Sequence, residues 1–152
     1  MKSKRFFLSL GIILIFTNLT ITLGFPQKSV PLPQEIEIIP PPSDLPPEVA
    51  AFSGRWEGLW GGERESILIV AEIDSEKAKV IYAWGDNPRM KPDKGYSKHV
   101  AKVIPGAPAK IEWGGVERPK FTFKMGKDFK SIRGIREFRD SYVEITMKRV
   151  ER

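Results

Sequence analysis

Residue types able to carry catalysis or metal chemistry are sparse in this chain. Its 152 residues include one histidine, His99, and no cysteine. A nucleophilic Ser or Cys needs a partner base within hydrogen-bond reach, and no Gly-x-Ser-x-Gly elbow is present to offer one. His99 falls in a β-like run with no Ser or Asp motif around it, so it reads as a packed or surface side chain. A metal centre needs clustered His, Cys or carboxylates at ligand spacing. Asp86 and Asp93 share a loop, but Pro and Lys interrupt it, and no calcium site is expected there. We therefore expect no enzymatic activity, no metal and no cofactor.

What the chain does offer is aromatic chemistry. The stretch FSGRWEGLWGG, residues 52–62, sets Gly54, Trp56, Gly58 and Trp60 at two-residue spacing. Further along stand Tyr82, Trp84 and Trp113. Such a set can grip an apolar or sugar-like ligand. It can equally fill a small core, since Trp, Tyr and Phe supply much of one. Which of these holds depends on the elements that position the rings.

Those elements read as strands. From Phe52 onward, short β-like runs alternate with turn residues, and no helix-period segment of useful length occurs. The runs cover about 54–60, 66–73, 77–84, 96–104, 109–113, 120–125, 128–135 and 142–150. Gly61-Gly62, Asp74-Ser75, Pro105-Gly106, Gly114-Gly115 and Gly126-Lys127-Asp128 mark turns between them. Even spacing with short links predicts an all-β fold, an antiparallel up-and-down meander of eight strands. Closing it into a barrel removes the exposed edges. The faces agree: Val143, Ile145, Met147 and Arg149 share one parity of the last strand, and Glu144, Thr146 and Lys148 share the other. The second strand is apolar on both faces, so an outside cover is expected, with PEVAAF, 47–52, as the candidate. Links 61–65, 85–95, 114–119 and 136–141 fall at one end of the meander, and the tighter turns fall at the other.

This layout divides the tryptophans. Trp56 in the first strand and Arg149 in the last sit near the tight-turn end, on inward parity, in strands that neighbour each other once the barrel closes. A guanidinium over an indole gains roughly 1 kcal/mol, so the pair is expected to plug the floor, with Gly54 and Gly58 leaving room for the indole. Trp60, Trp84 and Trp113 each end an upward strand and would ring the looped end. With Tyr82 and with Arg89 from the 85–95 loop, they form the candidate ligand set. The alternative is that Tyr82, Phe121 and Phe123 fill the interior and leave no cavity. The looped end holds seven basic side chains, Arg64, Arg118 and Arg136 among them, against seven acidic ones. That balance gives no basis for an anionic ligand.

Gly54-Arg55-Trp56 in the first strand with Arg149 in the last resembles the calycin superfamily of lipocalins, fatty-acid-binding proteins and avidins. The resemblance implies an up-and-down barrel with a ligand cavity open at its looped end. The longer Gly54-x-Trp56-x-Gly58 pattern is similar to nitrobindin-like haem barrels. Those use a histidine late in the barrel, whereas His99 lies in the fourth strand, so haem binding does not carry over. FSGRWEGLW followed by VIYAWGDNP also resembles the small β-domain found beside exported bacterial α/β-hydrolases, over about residues 52–150.

The N-terminal residues carry a separate message. Lys2, Lys4 and Arg5 precede an apolar run, the pattern of a secretory signal peptide over 1–25. An uncleaved membrane anchor is the competing reading, since about 20 apolar residues just span a bilayer. Both export the folded part, and no cysteine follows the run to take a lipid. Residues 26–50 read as a disordered or polyproline linker; eight of the thirteen prolines fall within 26–47, a stretch that reaches about 65 Å when extended. Residues 51–152 are the barrel domain. Roughly a hundred residues without disulfides can be held by a core alone. The formal charge of +6 falls to +3 without Lys2, Lys4 and Arg5. The remaining bases are interleaved with acids, so no nucleic-acid partner is expected. The functional expectation is an exported, non-catalytic barrel that binds a small apolar or amphiphilic ligand at its looped end. The alternative is a filled-core structural or interaction domain held at the cell envelope.

Overall fold

Residues 30–89 and 91–151 are described by the computed structural model. The signal or anchor segment 1–25 and the start of the linker lie outside the described residues. Eight strands form one closed antiparallel barrel in chain order. They are β1 Gly54–Trp60, β2 Arg64–Ile73, β3 Lys77–Trp84, β4 Gly95–Ile104, β5 Lys110–Trp113, β6 Lys120–Met125, β7 Ser131–Phe138 and β8 Ser141–Val150. Closure is made by β1 against β8, with Trp56 opposite Arg149 and Gly58 opposite Met147. The predicted fold class therefore holds, including chain order and the pairing of first and last strands.

Two-residue alternation places the core. Leu68 and Val70 of β2 lie opposite Tyr82 and Val80 of β3. They join Trp56, Ile111, Phe123, Ile132, Ile145 and Met147 in one buried cluster. Ile67, Ile69, Ile81 and Ala83, on the other parity, form a second cluster outside the wall.

The cover of that outer cluster differs from expectation. Val30, Leu32, Ile36 and Ile38 pack on it, and the Ile39 amide donates to the Ala71 carbonyl at 2.8 Å. Ala71 is the residue skipped where the β2–β3 register shifts between Val70 and Glu72, so the bulge frees a carbonyl that the strap uses. From Val30 onward, then, the Pro-rich segment is a packed strap and not a disordered linker. Its alternating apolar residues have a sheet face to bury. Proline also costs nothing in a segment that makes so few backbone bonds. PEVAAF instead plugs the barrel floor: helix α1, Pro47–Ala50, carries Val49 inward, and Val49 and Phe52 are fully buried.

The last hairpin is also tighter than predicted. Asp128 Oδ1 accepts from the Lys130 and Ser131 amides, a local turn that delays β7 to Ser131. The strand then runs to Phe138, opposite Ser141, with Arg139 at φ 53° in the two-residue turn. The 136–141 loop shrinks to 139–140, so only 85–94 and 114–119 remain long at the looped end.

A candidate ligand cavity at the looped end

The floor is solid. Arg149 lies over the Trp56 ring with its guanidinium carbon 4.3 Å from the ring centroid. It donates from Nη1 to the Ser53 carbonyl at 2.8 Å and from Nη2 to the Ala51 carbonyl. Trp56 Nε1 donates to the Phe52 carbonyl at 2.8 Å. The two glycines serve neighbours other than the indole. A Cβ on Gly54 would stand 3.0 Å from Arg149 Nη1, and one on Gly58 would stand 2.6 Å from the Thr146 carbonyl oxygen. They make room for the guanidinium and for close approach of β8.

Above the core the interior is not filled. A cavity of about 660 Å³ opens at the looped end, within the range of small-molecule sites. Trp60, Tyr82, Trp84 and Trp113 line it, as the strand layout predicted, together with Phe121 and Val143. Trp60 Nε1 donates to the Tyr82 hydroxyl at 2.7 Å, and burial pushes the Tyr82 phenol above its ordinary pKa. Trp113 stacks on Phe121 at 5.1 Å, Phe123 at 5.4 Å and His99 at 5.5 Å between ring centroids. Its indole N–H is buried and has no partner among the described residues. Leaving such a donor unmade costs about 1–3 kcal/mol.

The wall is incomplete on one side. β4 and β5 share only three residue pairs, ending at Lys102 opposite Glu112. Beyond that point the cavity reaches β4 at Ser97, His99 and Val100, and Val100 is 64% exposed. Burial, and then the Arg118 charge, lower the His99 pKa, and Ser97 Oγ lies 2.7 Å from its Nε2. Among the described residues no further side chain is hydrogen-bonded to this pair.

The 85–94 loop is pinned across the top. Arg64 Nε donates to the Gly85 carbonyl at 3.1 Å and its Nη2 to the Pro92 carbonyl. Trp84 Nε1 donates to the Asp93 carbonyl at 2.6 Å. Arg89 does not line the cavity. It is exposed and pairs with Glu63 at 3.3 Å. Two lining residues were read from the sequence as loop residues, Arg64 and Arg136. Each extends an inward row, Arg64-Ser66-Leu68-Val70 in β2 and Ile132-Gly134-Arg136 in β7, and that parity is the signal that identifies them. Among the described residues no group of three His, Cys, Asp or Glu side chains stands close enough to hold a metal.

Fold and cavity together define a closed eight-stranded up-and-down barrel with a plugged floor and an aromatic chamber at the other end. No protein-family model, curated protein or solved structure matches the chain.

Proposed function

We propose that the chain is an exported, non-catalytic, calycin-like binding module that takes a small apolar or amphiphilic ligand at its looped end. The observation that carries this is the cavity of about 660 Å³ walled by Trp60, Tyr82, Trp84 and Trp113. The aromatic rings pack on one another along the wall, Trp113 against Phe121 and Phe123, yet the chamber they surround stays open. The plug at Trp56 and the outer strap pack the floor and one wall of the barrel, and binding to a chamber that is already open spends little on ordering it. Export rests on the N-terminal basic and apolar run.

The test is a titration with 1-aminoanthracene, a neutral flat fluorophore. Saturable one-to-one binding is expected. It should be lost in Val143→Trp, which fills the chamber from β8, and kept in Lys148→Ala on the outer face of the same strand. Absence of saturable binding to the wild-type chain would favour the filled-core structural reading instead.

A further inference from the structure

The chamber has a charge pattern that its aromatic wall does not explain. Arg64, Lys91, Arg118 and Arg136 line it, and no aspartate or glutamate does. The looped end as a whole is balanced, but its acids do not line the chamber. Glu63 meets Arg89, and Asp93 pairs with the lining Lys91 at 2.6 Å, which leaves the three arginines without an ion-pair partner among the described residues. Arg64 is only 7% exposed. Its contacts are the Gly85 and Pro92 carbonyls and the Trp84 ring, 6.0 Å away. Among the described residues, the six ion pairs include none of Arg64, Arg118 or Arg136.

The balance around Arg64 is unfavourable. Burial, and with it the Arg136 charge, hold its pKa below the ordinary arginine range, while Tyr82 and the loop acids Asp86 and Asp93 act the other way from a distance. Buried charges in proteins are ordinarily paired. Here two guanidinium groups face one chamber from β2 and β7 with no carboxylate between them. A guanidinium fork matches a planar or tetrahedral oxyanion.

Resting on the reading of the chamber as a ligand site, we propose that its ligand carries one anionic head, a carboxylate, sulfonate or phosphate. Arg64 and Arg136 hold the head at the top of the chamber, and an apolar body lies below along Trp113 and Phe121. Arg64 opens the inward row of β2 at the mouth, and Arg136 stands one inward position below the mouth end of β7 at Phe138, so the polarity of the ligand is fixed: head toward the loops, body toward the floor.

The test compares two probes on the full chain. 8-Anilinonaphthalene-1-sulfonate is flat and anionic, and 1-aminoanthracene is flat and neutral. Arg136→Met should weaken the sulfonate about tenfold or more, the scale of a lost hydrogen bond to a charged group, and leave the neutral probe within about twofold. Arg136→Glu sets a carboxylate opposite Arg64. It should abolish sulfonate binding while raising Tm, which separates loss of the anion site from loss of the fold. Dodecanoate and 2-naphthoate then compete with the sulfonate, and the stronger competitor tells an acyl body from an aromatic one. Equal binding of the sulfonate to wild type and Arg136→Met, or displacement by neither acid, overturns the proposal. Failure of the neutral probe as well would instead remove the ligand-site reading beneath it.

Discussion

Replacing Arg149 by methionine is expected to cost about 3 kcal/mol of folding stability. The side chain makes two charge-assisted hydrogen bonds, to the Ser53 and Ala51 carbonyls, and lies 4.3 Å from the Trp56 ring centroid. Bonds from a charged group contribute about 1.5–3 kcal/mol each, and a partly dry cation–π contact about 1–2. The low end of that sum is about 4 kcal/mol; the guanidinium is half-buried, so water replaces part of what is lost and brings the cost to about 3 kcal/mol. Methionine keeps the apolar contact with the indole. Lysine keeps the charge but not the fork, and should recover about half of the loss. Urea unfolding followed by circular dichroism measures both, and in this size class a 3 kcal/mol loss lowers Tm by about 12 °C. A loss under about 0.5 kcal/mol for Arg149→Met, the level of an ordinary surface substitution, would refute the assignment of Arg149 as the floor clamp.

Other positions give shorter tests. A Cβ on Gly134 would stand 2.4 Å from Phe123 Cε1 and 2.7 Å from Ile145 Cγ2, so Gly134→Ala should cost about 2 kcal/mol by overpacking. Adding Phe123→Leu should leave the double variant losing less than the sum of the singles in thermal melts. Ile38 packs on the outer cluster of Ile67, Ile69, Ile81 and Ala83. Ile38→Asp should therefore free the strap, lower Tm and raise light scattering, while Glu37→Asp does neither. His99 has a lowered pKa from burial and then from Arg118. The unfolded chain therefore binds its proton more readily, so His99 adds nothing at high pH and lowers stability progressively as pH falls below the ordinary histidine value of 6.5, with the sign set by linkage. An NMR titration of the imidazole should place its midpoint below that value, and Arg118→Ala should move it upward.

The architecture was legible because its signals are local and repeated. Val143-Ile145-Met147 and Phe121-Phe123-Met125 alternate cleanly, and most strand limits fell within two residues of those observed. The Trp56–Arg149 floor was legible because closure follows from strand count, and parity then brings the two together. The strap was hidden because proline suppresses the usual strand signal, yet Ile36 and Ile38 still alternate across a face that β2 leaves apolar. The cationic rim was hidden by boundary placement. A few residues added to β2 and β7 turn Arg64 and Arg136 from loop charges into inward side chains, because an arginine at the end of an apolar row reads as a terminus until its neighbours are placed. Gly134 went unnoticed because the need for its missing side chain comes from Phe123 on the next strand, opposite it in the β6–β7 register.

The central claim, that the upper aromatic chamber is a ligand site and the lower half is not, is tested most directly by the four tryptophan indole N–H signals in a ¹⁵N NMR titration with 1-aminoanthracene. Trp60, Trp84 and Trp113 should shift together and saturate at one equivalent, while Trp56, held to the Phe52 carbonyl beneath the core, stays in place. Shifts at Trp56 equal to those of the other three, or no saturable shift at all, would contradict the account.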